Sequence, residues 1–181
     1  DKSFAAHVDT VSLFQPGTAM YNKDSLESSA VSLNNFIMKL KELFINAPLP
    51  IKSPIYKILD KAPKSETILD YDKIWQIVLS QSKEERYIGK KVIRGAYTDW
   101  DNTPRYGKES TIFNGSSPDN FKKYLKELVK IVRDSDCPQV VLINAWNEWG
   151  EACYLEPDEK NGYAYLEAVR DVVKEANELH S

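Results

Sequence analysis

Short apolar runs alternate with longer amphipathic stretches along this chain, and that alternation limits it to few folds. Residues 91–97 read Lys-Val-Ile-Arg-Gly-Ala-Tyr, and residues 140–143 read Val-Val-Leu-Ile. Both are strand-like, and the second has the continuous apolar character of a parallel strand covered on both faces. Residues 4–15 contain a further strand, ended by Pro16 and Gly17, and residues 67–69 a short one. Helices are predicted between and after these strands. Residues 25–45 place Leu33, Phe36, Ile37, Leu40, Leu43 and Phe44 on one helical face. A proline-rich break follows at residues 47–54, then a short helix over 55–61. Asp70 caps a helix carrying Ile74, Trp75, Val78 and Leu79, which frays around residues 80–83. Ser117 and Pro118 open a helix whose stripe is Phe121, Tyr124, Leu125, Leu128, Ile131 and Val132, with its Lys residues on the solvated face. The last helix, 164–179, turns Leu166, Val169, Val172, Val173 and Ala176 inward.

Strand then helix, four times over, predicts an α/β fold with a parallel sheet and helical crossovers. In such sheets the ligand residues stand at the carboxyl ends of the strands. Four strands do not close a barrel of eight. A chain of 181 residues has the length of one domain, so residues 1–181 are read as a single unit.

The apolar run at 140–143 stops abruptly. Asn144, Trp146, Asn147, Glu148, Trp149 and Glu151 follow within eight residues. Indole faces stack on the C–H faces of pyranose rings, amides bond to hydroxyls, and paired carboxylates can run acid/base chemistry at an anomeric carbon. The plainer reading makes the two indoles packing aromatics and the two acids caps or solvated charges. The cluster as a whole favours a sugar site, because charge gathered at a strand end is costly without a task. A second polar and aromatic cluster leaves the 91–97 strand: Asp99, Trp100, Asp101, Asn102, Arg105 and Tyr106. Two readings stay open there. Asp-Asn-Thr-Pro is good turn chemistry; equally, the loop lies beside the first cluster if the two strands are neighbours. His7 reads as an ordinary partly buried histidine, Gln15 as a lone amide that could meet a sugar, and Trp75 as core.

A net charge of −3 offers no basic field for nucleic acid. No stretch reaches the ~20 apolar residues of a membrane span. Neither a cluster of metal ligands nor a glycine-rich phosphate loop stands in the sequence, so no metal or cofactor is expected and no local motif supports a nucleotide-sugar donor. Cys137 and Cys153 flank the 140–143 strand. Residues 139–146, if extended, span roughly 25 Å, whereas a disulfide holds Cα atoms within about 7 Å. Both are predicted to be free thiols.

Asn147-Glu148-Trp149-Gly150-Glu151, then Tyr154-Leu155-Glu156-Pro157-Asp158, then Gly162-Tyr163-Ala164-Tyr165-Leu166-Glu167-Ala168 resembles the WbsX-like glycosyltransferase family, which is similar to glycoside hydrolase family 99, the endo-mannosidase group. Supporting resemblances run through Phe14-Gln15-Pro16, Asp70-Tyr71-Asp72-Lys73-Ile74, Arg94-Gly95-Ala96-Tyr97, Trp100-Asp101-Asn102-Thr103-Pro104-Arg105 and Phe113-Asn114-Gly115-Ser116. Where members often carry an acidic residue before the Phe-x-Pro segment, this chain has Leu13.

The resemblance implies a (β/α)8 TIM-type barrel, of which these strands match the carboxyl-terminal half. The chain begins at Asp1 without Met, so a truncated or partial domain is expected. It further implies action on glycosidic bonds of an oligosaccharide or polysaccharide, in bacterial cell-surface polysaccharide (lipopolysaccharide or O-antigen) biosynthesis or processing, in the cytoplasm. Carried over, Glu148 is the base that helps a neighbouring 2-hydroxyl attack the anomeric carbon, and Glu151 the general acid and then base. Trp100, Asp101, Asn102, Arg105, Asn144, Trp146, Asn147, Trp149, Tyr154 and Glu156 are the expected substrate contacts. Gly150 is read as permitting the turn that lets both acids bracket one sugar. The alternatives are a glycan-binding module without catalysis, and an inert fragment whose open barrel edges drive self-association. Convergence of the two carboxylates separates catalysis from binding alone.

Overall fold

The computed structural model of the chain describes residues 8–20, 43, 48–59, 66–87 and 89–178. In chain order the elements are β1 (Thr10–Ser12), α1 (Gly17–Met20), α2 (Leu49–Leu59), β2 (Thr67–Asp70), α3 (Tyr71–Ser82), β3 (Arg86–Tyr87), β4 (Lys90–Tyr97), α4 (Thr103–Tyr106), β5 (Thr111–Asn114), α5 (Pro118–Arg133), β6 (Val141–Asn144), β7 (Asn147–Glu148), β8 (Cys153–Tyr154) and α6 (Ala164–Glu178). His7 and the helix expected over 25–45 lie outside the described residues, save Leu43, which is exposed.

β4 organises the sheet. β1 lies parallel to its first half, with Thr10 opposite Lys91 and Ser12 opposite Ile93. β6 lies parallel to its second half, with Arg94 opposite Val141 and Tyr97 opposite Asn144. β3 adds a short antiparallel pairing at Lys90 and Lys91. Parallel strands alternating with helices are therefore present, as the sequence predicts. β2 does not join this sheet; it pairs in parallel with β5, a strand that the sequence reading leaves unmarked. Gly95 is required where β1 leaves the sheet. A Cβ there would stand 2.1 Å from the Leu13 carbonyl oxygen, too close for any other residue without a backbone shift. Gln15, just beyond, is a core amide rather than a sugar contact: its Oε1 accepts from Ala19 N at 3.1 Å and its Nε2 donates to Gln81 Oε1 at 3.2 Å.

The caps fall where the residue types place them. Asp70 Oδ1 accepts from Lys73 N at 2.9 Å, and Ser117 Oγ accepts from Asn120 N at 3.1 Å. Two local expectations are corrected. The first concerns the proline-rich break, since α2 begins within it at Leu49. Pro50 sits in the first turn, where no intrahelical N–H is lost, and Pro54 forfeits only the bond to the carbonyl four residues earlier. The second is the fraying of α3. It runs to Ser82, because the buried Arg94 donates through Nε to Ser82 O at 3.0 Å and through Nη2 to Glu84 O at 3.4 Å, satisfying carbonyls at the helix end. The lysines of α5 stand on its solvated face as expected, and two of them, Lys122 and Lys126, pair there with Asp171 and Glu175 of α6. In α6 the buried stripe is Tyr165, Ala168 and Val172, which leaves Val173 exposed.

The core is aromatic. Trp75 is fully buried between Tyr97, with ring centroids 4.9 Å apart, and Tyr124, at 5.4 Å, both nearly parallel to it. Tyr71, Phe113, Phe121 and Tyr165 close around this stack, mostly edge-on. Tyr71 ties the core to the exit of β4 by donating its hydroxyl to Thr98 O at 2.7 Å. Val141 and Ile143 pack on the cluster. Val140 and Leu142 stay exposed, so β6 is covered on one face only by the described residues. Cys137 and Cys153 are both buried and unpaired. Among the described residues no helix is long and apolar enough to cross a membrane.

Two outcomes follow from this packing. Trp75→Ala should cost about 3–5 kcal/mol of stability in urea unfolding, because it empties the centre of the ring stack; a change under ~1 kcal/mol would contradict that placement. Burial pushes the Cys153 thiol up to about 11. It should therefore resist iodoacetamide at pH 8 in the folded chain and react once urea unfolds it, as peptide mapping by mass spectrometry would show.

Candidate functional site

The pairing of β4 with β6 brings two loops to one edge of the sheet. Tyr97 and Asn144 are register partners, and the chain leaves both strands there. Beyond β6 the Asn144–Ala145 peptide is cis. The chain then folds into a hairpin, with Asn147 opposite Tyr154 and Glu148 opposite Cys153. Its tip is a single 3-10 turn, Trp149–Glu151, closed by Ala152 at φ 53°. The base of the hairpin is bound to the strand end by Ala145 N to Cys153 O at 3.1 Å and by the Cys153 thiol, which donates to Asn144 O at 2.8 Å. Beyond β4, Asp101 N donates to Glu151 O at 2.8 Å and stitches the second loop to the hairpin tip.

Glu148 and Glu151 meet at one guanidinium. Arg105 Nη2 donates to Glu148 Oε1 at 2.7 Å, and Arg105 Nη1 donates to Glu151 Oε1 at 3.0 Å. Taken with the width of a planar guanidinium, these bonds keep the two Oε1 atoms within about 8 Å of each other. The site is open: the side chains of Arg105, Glu148 and Glu151 are 47%, 35% and 18% exposed. Among the described residues, Oε2 of each acid accepts no hydrogen bond. Gly150 lies between the acids, but its role is space rather than a left-handed turn, since that conformation falls to Ala152. A Cβ at position 150 would stand 2.9 Å from Arg105 Nε and 3.2 Å from Glu148 Oε1.

The other expected contacts divide into three groups. Trp146 and Asn147 are exposed on the hairpin. Trp149 is exposed too but held: its ring stacks on Tyr154 with centroids 3.9 Å apart, and its indole N–H donates to Glu156 Oε2 at 2.7 Å. One indole face is thereby covered, and the ring is fixed as a platform. Asp101 and Asn102 have their side chains engaged in the turn, accepting from Thr103 N at 2.9 Å and Thr111 N at 2.7 Å. Turn chemistry is thus present at Asp101 and Asn102, and the loop lies beside the first cluster, with Arg105 bonded to both of its acids. Trp100 is only 7% exposed and packs on Phe113, so its ring lines the interior rather than the rim. Asn144 keeps a buried Nδ2 with no partner among the described residues.

Tyr154 donates its hydroxyl to Asp158 Oδ2 at 2.8 Å. Burial, then this bond, pushes that phenol up to about 12. The Asn161 backbone N–H holds the Asp158 carboxyl below the usual carboxylate range. Asp99 is the residue that the sequence reading named without giving it a role. Burial raises its carboxyl above the ordinary range, although the Trp100 N–H donates to Oδ1 at 2.7 Å. Its signal was its place: a carboxylate two residues past the end of β4, flanked by aromatics.

A family profile described as glycosyltransferase WbsX matches residues 2–169. Among curated proteins, one named uncharacterized protein WxcX, from two strains of Xanthomonas campestris pv. campestris, is 36% identical over 87 residues. That match covers 47% of this chain and 12% of the relative, so the chain spans a small part of the proteins it resembles. No solved structure matches. With the profile spanning nearly the whole sequence, the chain belongs to the WbsX glycosyltransferase family.

Proposed function

We propose that this chain carries the acid/base pair of a carbohydrate-active enzyme acting on glycosidic bonds, in the building or processing of bacterial cell-surface polysaccharide such as lipopolysaccharide O-antigen. One observation carries the reading: Glu148 and Glu151 converge on a single guanidinium beside an exposed, immobilised indole. A module that only bound glycan would need the rings but not the converging acids. In this scheme Glu148 takes the proton of the sugar 2-hydroxyl as that oxygen attacks C1. Glu151 protonates the leaving oxygen as the C1–O bond breaks. The acceptor, water or a sugar hydroxyl, then opens the strained ring at C1. Glu151 takes the acceptor's proton, and Glu148 returns its own to O2. Likeness to glycoside hydrolase family 99 is the source of these roles, and they serve hydrolysis and transfer alike.

Trp146, Asn147, Trp149, Tyr154 and Glu156 form the sugar-binding wall in this reading, with Asn144, Trp100, Asp101 and Asn102 behind it. The parallel β1, β4 and β6 fit one part of a (β/α)8 barrel, in which sites stand at the carboxyl ends of strands. Residues 1–181 then form one partial domain of that barrel. Membership of the WbsX family supports a bacterial setting, read here as cytoplasmic, and a glycan as the partner; the net charge of −3 argues against nucleic acid. The exposed apolar residues Ile68, Val140 and Leu142 fit a barrel interior left open, which a second copy of the chain would cover.

Glu151→Gln should lower turnover of a cleaved or extended oligosaccharide, found by screening mannose- and rhamnose-containing glycans, by on the order of 10²–10⁴-fold with the fold intact by circular dichroism. Unchanged turnover would remove Glu151 from the chemistry. Light scattering of the isolated chain should show self-association, and a monodisperse monomer would contradict the open-interior reading.

A further inference from the structure

Arg105 reads from sequence as a substrate contact. We infer instead that it is a positioning residue: a shared counter-ion that holds one oxygen of each acid and leaves the other free to work. The inference rests on the acid-pair reading above and adds what keeps that pair in order.

Arg105 divides the oxygens of each acid. Both bonds from Arg105 go to Oε1 atoms, while Oε2 of each acid accepts nothing among the described residues. A carboxylate held at one oxygen has its plane restrained and its second oxygen available, as an acid or base poised for a sugar requires. Only a guanidinium does this for two acids at once, because its fork presents separate, fixed N–H groups where an ammonium offers a single point of charge.

Cation and acids are also anchored to each other. α4, which carries Arg105, is pinned through Asp101 Oδ1 to Thr103 N and through Asn102 Oδ1 to Thr111 N, and Arg105 N donates to Asn102 O at 3.0 Å. The preceding residue, Asp101, bonds through its N–H to Glu151 O. Cation and acids therefore ride on two loops that are bonded to each other, so their relative placement is fixed before a ligand arrives.

The backbone beside the guanidinium completes the arrangement. Gly150 passes beneath the guanidinium at a distance that leaves no room for a Cβ, which would stand 2.9 Å from Nε and 3.2 Å from Nη2. The clash would fall on the far ends of two flexible side chains, because the same Cβ would also stand 3.2 Å from Glu148 Oε1. An alanine would thus be accommodated by parting Arg105 from Glu148, with no charge lost and the backbone undisturbed. Gly150 and Arg105 form one device, the glycine supplying clearance and the arginine the two bonds.

The test uses the full chain as wild type, Arg105→Lys, Arg105→Met, Gly150→Ala, Glu148→Gln and Glu151→Gln. Nitrogen-15 NMR of the arginine side chains reads the bridge directly. Wild type should show an Arg105 guanidinium with slowed rotation and resolved Nη protons, and Gly150→Ala and either Gln variant should lose them. On an oligosaccharide found by the glycan screen, Arg105→Met and Gly150→Ala should lower kcat on the order of 10- to 100-fold with KM changed less than about threefold, and Arg105→Lys should recover part of the loss. A raised KM at unchanged kcat would make Arg105 a sugar ligand and overturn the inference, as would full kcat in Gly150→Ala. Unchanged turnover in Glu151→Gln would mean that the acid-pair reading itself has failed. Loss there with unaffected Arg105 and Gly150 variants would remove only the positioning role. If no glycan in the screen is turned over, a freely rotating guanidinium in wild type overturns the inference, and a restrained one that Gly150→Ala releases supports it.

Discussion

The parallel pairing of β4 with β6 is the constraint on which the rest depends. It sets Tyr97 opposite Asn144, so two polar loops that are 40 or more residues apart in sequence leave the sheet side by side. One backbone bond, Asp101 N to Glu151 O, then closes the gap between them. The aromatic core secures the same arrangement from below. Tyr97 is both the last residue of β4 and a member of the stack on Trp75, with Phe113 and Tyr71 meeting its ring edge-on, so the strand end beneath the two loops is held in the core. A small domain that buries this much aromatic surface gains a stiff platform along with its stability.

On that platform the charges are arranged at some cost. Two acids close together repel, and Arg105 offsets the repulsion without neutralising both. Exposure of all three groups keeps the energy of the bridge modest, so its value is geometric more than thermodynamic. Asp99 bears a different cost. A carboxyl whose proton is held above the ordinary range by burial stabilises the fold less once it is charged, and the chain tolerates this just beyond the end of β4. Such placements are common where a group is retained for chemistry rather than for packing.

Much of this was legible in the residues. The alternation of strands and helices, the caps at Asp70 and Ser117 and the free cysteines all follow from local patterns with known physical causes, whereas the neighbouring of the two loops waited on the pairing of β4 with β6. What was not legible depended on tertiary partners. α3 does not fray, because Arg94 arrives from a strand to take its last carbonyls. β5 carries only four residues and is defined by β2, which no local signal announces. The centre of the sheet is β4 rather than the more apolar β6, because coverage is decided by which helices pack where. At the site, residue types pointed to Glu148 and Glu151 but could not show which cation joins them. Gly150 was noticed for the freedom of its backbone, and its importance lies in the absence of a Cβ.

A crystal structure of this chain with a bound oligosaccharide from the mannose- or rhamnose-containing series would test the central claim most directly, through the separation of the Glu148 and Glu151 carboxyl carbons and the place of the sugar between them. The account predicts about 5–10 Å, with a ring lying across both acids and against Trp149. A sugar bound elsewhere, or acids turned away from each other once Arg105 is engaged by the ligand, would contradict it.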